Sequence, residues 1–168
     1  MLALVSACNY STPWRTRPSP VANLTVEDIL AIYVVREALE GVSARLAARR
    51  ATPVQCNRLL AIVEEMESQI ESNSPAQMAE LNLRFHAELR QAAANRHLDR
   101  FLSQIEHAVR RFGQTTYAHT GRMRTSIAEH RALVDAVIAH DPERAEALAT
   151  EHMREARLLR LRMLAEDH

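Results

Sequence analysis

Lysine is absent from this sequence. All 21 positive side chains are arginines, and they are balanced by 21 aspartates and glutamates, so the formal net charge is zero. A neutral chain has no global electrostatic drive toward nucleic acid, and guanidinium groups favour fixed, forked contacts over loose ones. Glycine is nearly missing, with three in 168 residues, and aromatic residues make up only 4%. Strand-rich folds with many tight turns need both, so the composition points to helices built from the abundant Ala, Leu, Arg and Glu. The two cysteines, Cys8 and Cys56, sit in no CxxC pair and make no disulfide framework, which suits a reducing, cytoplasmic compartment. No apolar run approaches the roughly 18 residues that cross a bilayer, so no membrane partner is expected. What is present is a 47% hydrophobic chain of a length that suits one domain with a sizeable core.

Residues 1–24 differ from the rest. The stretch NYSTPWRTRPSPVAN holds three prolines, several Ser and Thr and no apolar periodicity, and it reads as a flexible tail or linker. The remainder, 25–168, is punctuated regularly. Thr25-Val-Glu-Asp has the form of a helix-start box. Thr52-Pro, Ser74-Pro and Asp141-Pro each place a capping residue before a proline at the first helical position. Asn95 ends a further run, and Gly113 or Gly121 marks another break. The pattern predicts helices over 26–50, 53–72, 75–94, 97–112 (with a possible extension to 118), 122–140 and 142–166. Short connections between them predict an all-α antiparallel bundle.

Eight histidines are spread along the chain. His97, His107, His119, His140 and His168 lie at element ends, in a loop or on a polar face, where solvated imidazole is the default. The other three differ. His86 shares a face with Ala79, Leu83, Leu89 and Ala93. His130 lies on a stripe with Ile127, Val134 and Val137. His152 does the same with Leu148, Ala156, Leu159 and Met163. Three helices therefore each turn one imidazole inward, and polar groups on a core face need partners. Two readings follow: three separately hydrogen-bonded core histidines, or three nitrogens sharing one metal ion. In the second reading Asn82, one turn before His86, offers the fourth ligand through its carbonyl oxygen. Zinc is then the first candidate and nickel the second. Arg36 stands on the core stripe of the first helix. It either pairs with Glu40 four residues on or anchors an anionic ligand.

These residues fall in a recognisable order. The segment DILAIYVVREALEGVSARLAARRAT, with Arg36 and Glu40 four apart, resembles the opening of the FCD domain. This is the helical effector-binding domain of the FadR subfamily of GntR transcriptional regulators. Asn82-Leu-Arg-Phe85-His86 resembles that family's D-x-x-F-H, with Asn where Asp is usual. AANRHL resembles its helix break, and AEHRALVDAVIAHDPERAEALATEHM resembles its closing helix pair, supplying His130 and His152 at the family's spacing. The resemblance covers residues 26 to 164. It implies a six- to seven-helix bundle with a central metal and ligand cavity, and a divalent ion held by Asn82, His86, His130 and His152. It also implies a small carboxylate effector, such as an organic or sugar acid, met by Arg36, and a homodimer. A winged-helix domain takes roughly 70 residues, and 24 precede the bundle. The chain as given is therefore not expected to bind an operator specifically.

The leading expectation is a metal-dependent small-molecule sensor domain of a transcriptional regulator. A metal-free interaction bundle is the alternative, and a metal-dependent hydrolase is a more remote one. A hydrolase needs a general base near the metal. Glu129 stands next to His130 but about 100° around the helix, so it is expected to point away. No HExxH motif and no nucleophile–base constellation is present, so the chain is not expected to be an enzyme.

Overall fold

The computed structural model describes residues 25–72, 74–110 and 115–166. The proposed tail, residues 1–24, lies outside the described residues, as do Gly113 and His168. Six α-helices carry the fold: α1 Val26–Arg50, α2 Pro53–Ser68, α3 Pro75–Ala92, α4 Arg96–Val109, α5 Arg122–Ile138 and α6 Pro142–Glu166. Two short 3-10 turns, Ile70–Ser72 and Thr116–Ala118, complete it, and no strand occurs among the described residues. The fold is the all-α bundle that the composition predicts. No helix among the described residues is long and apolar enough to cross a membrane.

The starts follow from side chains that accept the orphan N–H groups of a first turn. Thr25 and Asp28 cap α1 reciprocally, and Thr52 and Gln55 do the same for α2, with Pro53 behind the cap. Ser74 accepts from the Gln77 N–H, Asn95 from His97 and Leu98, and Asp141 from Arg144. α5 has no side-chain cap. It begins after Gly121, whose φ of 82° is a left-handed value that glycine adopts without strain.

The ends come earlier than periodicity alone predicts. α2 gives way after Ser68 to the 3-10 turn at Ile70–Ser72, and α3 stops before Ala94 at φ 49°. α5 stops before His140 at φ 53°, where His140 Nδ1 bonds the Ala48 carbonyl at 2.7 Å. That contact ties the end of α5 to α1. Of the other peripheral histidines, His97 and His107 are exposed and His119 is half-buried.

The first and last helices run antiparallel in close contact. Glu37 accepts from Arg157 at 2.5 Å, and Arg45 donates to Glu146 at 2.5 Å and to Glu143 at 2.9 Å. Gly41 permits this approach, because a Cβ there would stand 2.5 Å from Thr150 Oγ1. The main core lies between α2, α3 and α5, where Leu59, Val63, Met66, Phe85, Leu89, Leu133 and Val134 are buried. A smaller cluster of Ile29, Tyr33 and Ala156 joins α1 to α6. Between these two apolar bodies the bundle carries polar side chains.

Candidate metal centre

The buried faces of α3, α5 and α6 bring His86, His130 and His152 together. The three ring centroids are 4.6 to 5.4 Å apart. One nitrogen from each ring can be chosen so that all lie within 4.8 Å of one another. Helical spacing explains the placement: each imidazole takes one position on a stripe that is otherwise apolar. Phe85 adds a floor, its ring stacked on His130 with centroids 4.1 Å apart and planes 27° from parallel.

Both ring nitrogens of His86 and both of His130 are buried with no hydrogen-bond partner. Each such group costs about 1–3 kcal/mol of desolvation, and several in one place call for a shared partner. One lone-pair nitrogen from each of the three rings fits the donor chemistry of a divalent ion of the zinc class. The trio could therefore hold a metal. Metal–nitrogen bonds of about 2.0–2.1 Å would draw the ligand atoms closer than their present spacing.

Two carboxylates stand behind the rings. The Nδ1–H of His152 donates to Glu129 Oε2 at 2.5 Å, and Arg122 holds the other oxygen of Glu129 at 3.0 Å. A carboxylate only accepts, so Nδ1 of His152 carries the proton and Nε2 is left with a lone pair. Glu40 Oε2 lies 3.5 Å from His86 Nδ1, an ion-pair distance rather than a made hydrogen bond. Glu40 also faces Arg36, Nε to Oε1, at 3.4 Å. These two glutamates correct the sequence reading. Glu129 does leave the stripe of His130, but the direction it takes leads across to α6 and the outer nitrogen of His152. Glu40 is the partner of Arg36 and a neighbour of His86 as well.

The charges follow from these contacts. Burial opposes ionisation of Glu40, but His86, Arg36 and Arg90 outweigh it and bring its carboxyl down to about 2. Burial likewise opposes the charge on Glu129, and its contacts to His152 and Arg122 lower it on balance. Burial drives His130 well below the ordinary imidazole range, and the neighbouring His152, His86 and Arg122 add to the effect. His152 is lowered by burial to about 4 despite the opposing pull of Glu129. Both imidazoles are therefore neutral at pH 7, the form that binds metal.

Asn82 sits one turn before His86 on α3, half-buried. Its Oδ1 accepts from the Tyr117 hydroxyl at 2.9 Å, and Ser126 Oγ, 2.8 Å away, completes the chain by donating to that hydroxyl. Burial pushes the Tyr117 phenol up to about 12, so it stays a donor. Asn82, His152 and Arg36 line one cavity of about 200 Å³, together with Tyr33, Arg122 and Arg160. His86 and His130 lie behind its wall, and His152 is the member of the trio that faces it. Sequence reasoning missed Tyr117 and Arg122. Tyr117 comes from the short turn before α5, where no periodicity operates, and Arg122 from the first residue of α5.

Comparison with known proteins places this arrangement. Residues 31–155 match the profile of the FCD domain. The chain is 26% identical over 133 residues to the Uncharacterized HTH-type transcriptional regulator YdhC of Bacillus subtilis (strain 168), across 79% of this chain and 59% of that protein. It thus spans about three-fifths of the curated relative it matches. Among solved structures it is similar to Streptococcus agalactiae GntR, with a TM-score of 0.67 at 21% identity, covering 81% of this chain and 61% of that one. It is also similar to E. coli McbR/YncC, with a TM-score of 0.70 at 18% identity, covering 87% and 72%. At these identities the structures establish a shared fold.

Proposed function

The chain belongs to the FCD domain family, and from that premise we propose that it is the metal-dependent sensing domain of a FadR-type regulator of the GntR class, responsive to a small carboxylate such as an organic or sugar acid. The observation that carries this reading is the buried imidazole trio, two of its rings without a hydrogen-bond partner, beside a cavity walled by arginine. His86, His130 and His152, with the Asn82 carbonyl oxygen, are the residues that would hold a divalent ion, zinc first and nickel second. When bound, the ion supplies a Lewis-acidic contact for an effector carboxylate.

The chain's own residues do the rest. Arg36 offers a guanidinium fork to the carboxylate, already oriented by Glu40. Tyr33 and Ala156 supply apolar wall. Tyr117 holds the Asn82 amide so that its oxygen faces one way. Glu129 orients the ring of His152, and Glu40 places a negative charge behind His86. A ligand seated here touches α1, α3, α5 and α6 at once and biases their mutual positions. In the working regulator, a cytoplasmic homodimer, that bias passes to DNA-binding domains.

Thermal shift and calorimetry with a panel of dicarboxylic and sugar acids, before and after chelation, test the reading. An acid at 100 times its Kd should add about 2.7 kcal/mol of stability, and only to the metal-loaded protein. If no acid stabilises that form, the sensor reading fails.

Two substitutions probe the centre itself. Glu129→Gln removes the negative charge behind His152 and leaves one acceptor where Arg122 and His152 now have two, and metal affinity, read by competition with a chromophoric chelator, should drop about 10- to 100-fold. Asn82→Asp keeps an acceptor for Tyr117 and adds a charge beside the ion. It should tighten metal binding about tenfold, equivalent to roughly 1.4 kcal/mol. An unchanged affinity would remove Asn82 from the ligand set.

A further inference from the structure

Arg122 carries donors that the protein itself does not use. It is the first residue of α5, is 7% exposed and lines the same cavity as Arg36 and His152. Its Nη1 donates to Glu129 Oε1 at 3.0 Å. Its Nε is buried and has no hydrogen-bond partner among the described residues. Its Nη2 stands 3.5 Å from His152 Nδ1, but that nitrogen gives its proton to Glu129 and has no lone pair to offer. Nε and Nη2 form one two-donor edge of the planar guanidinium, so a whole edge is left without an acceptor. A buried charged donor in that state is strongly disfavoured, and the edge calls for a partner from outside the chain. The first helix repeats the arrangement. Arg36, 8% exposed, faces Glu40 through Nε at 3.4 Å and has no second hydrogen-bond partner among the described residues. Each guanidinium is thus pinned by a glutamate that also stands beside a ring of the trio, Glu40 near His86 and Glu129 on His152. The cavity's own carboxylate serves neither arginine. Glu106 is the one acidic residue in its lining, and Arg90 and Arg110 hold it at 3.0 and 3.1 Å.

We infer that, within the sensor reading proposed above, Arg122 is a second anion anchor and the effector is a short dicarboxylic acid, with one carboxylate on Arg36 and the other on the open edge of Arg122. A carboxylate presents two charged oxygens in the geometry of that edge, whereas an alcohol hydroxyl offers a single neutral acceptor. The anchors stand on different helices, α1 and α5, so each takes its own carboxylate. Both are preset. Their glutamates hold them before a ligand arrives, and little side-chain freedom is lost on binding. The cavity of about 200 Å³ admits only a small molecule. Ala79, Leu83, Val109, Met153 and Ala156 supply apolar wall, which suits a hydrocarbon spacer between two carboxylates better than a chain of hydroxyls.

Calorimetry on the full chain tests this, each variant loaded with zinc to saturation and then repeated after chelation. The probes are the straight-chain diacids from malonate to adipate and the monoamide of each. A monoamide keeps the length and shape of its diacid and lacks one carboxylate. The best diacid should bind wild type about 10- to 100-fold tighter than its own monoamide. Arg122→Lys keeps a positive charge for Glu129 but has no two-donor edge. It should cut that preference to less than about threefold, while zinc affinity and the affinity for the monoamide, which rests on Arg36, stay within about threefold of wild type. Equal affinity of wild type for diacid and monoamide overturns the inference and leaves the sensor reading standing. So does a preference that Arg122→Lys does not change. A diacid preference that persists after chelation sustains the inference and counts against metal dependence alone. If no acid of either series binds with or without zinc, both fail.

Discussion

His130→Ala should abolish the stabilisation that zinc gives this protein. His130 is fully buried, its two nitrogens have no protein partner, and its ring lies 4.6 Å from that of His152 and 5.4 Å from that of His86. Removing it leaves two imidazoles and a neutral amide oxygen, and we expect metal Kd to rise by at least about 100-fold. Wild type at 100 times its Kd for zinc gains about 2.7 kcal/mol, and the variant should gain no more than about 0.4 kcal/mol at the same zinc concentration. The metal-free forms should differ far less. The variant loses the Phe85 stacking, worth about 0.5–1.5 kcal/mol, and gains a small cavity. It is also relieved of two desolvated nitrogens at about 1–3 kcal/mol each. Urea unfolding with and without zinc, against a chelated control, separates the two effects. Equal zinc stabilisation in wild type and variant would mean that the three histidines are core residues and nothing more.

Acid should destabilise the metal-free protein well before its carboxylates titrate. His152 is lowered from 6.5 to about 4 and His130 falls well below 6.5, both chiefly because burial disfavours the charged ring. The unfolded chain therefore binds up to two more protons than the folded one as pH drops through 6.5. Stability rises with pH in that window and is lost toward acid. Each ring contributes about 1.4 kcal/mol per pH unit once the unfolded imidazole is mostly protonated. From pH 7 to pH 5 the two together should remove roughly 3–4 kcal/mol. Glu40, held at about 2, acts in the same direction but only below the unfolded carboxylate value of 4.5. The interval from pH 7 to 5 thus isolates the histidines. Unfolding curves at pH 7, 6 and 5 with chelator present measure it, and a flat profile would show that the rings charge freely in the folded state.

The sequence made the helix starts legible because each has a chemical mark: Thr25, Thr52, Ser74, Asn95 and Asp141 all cap the helices they precede. Helix ends carry weaker marks. Neither Ala94 nor His140 announces a left-handed residue in the way glycine does, and both predicted helices therefore ran long. The inward turn of His86, His130 and His152 was readable from a 3.6-residue period. That period fixes the face of a helix and not its neighbour across the bundle. So the partnership of Glu129 with His152, 23 residues away, and of Tyr117 with Asn82, 35 residues away, had no sequence signal. Arg36 was readable as either a partner of Glu40 or an anchor for an anionic ligand; it pairs with Glu40 and also lines the cavity.

The seam between α1 and α6 has a consequence for how the protein is made. Gly41 touches Thr150, and Arg157 reaches back to Glu37, so α1 takes as its partner a helix that is synthesised well after it. At about 5–20 residues per second, the 91 residues between Arg50 and Pro142 occupy roughly 5–20 s. For that time the edge of α1 that meets α6, from Ile29 and Tyr33 to Gly41, lacks its partner. His152 arrives on the same later helix, 22 residues after His130, so the trio closes only when α6 docks on α1 and α5.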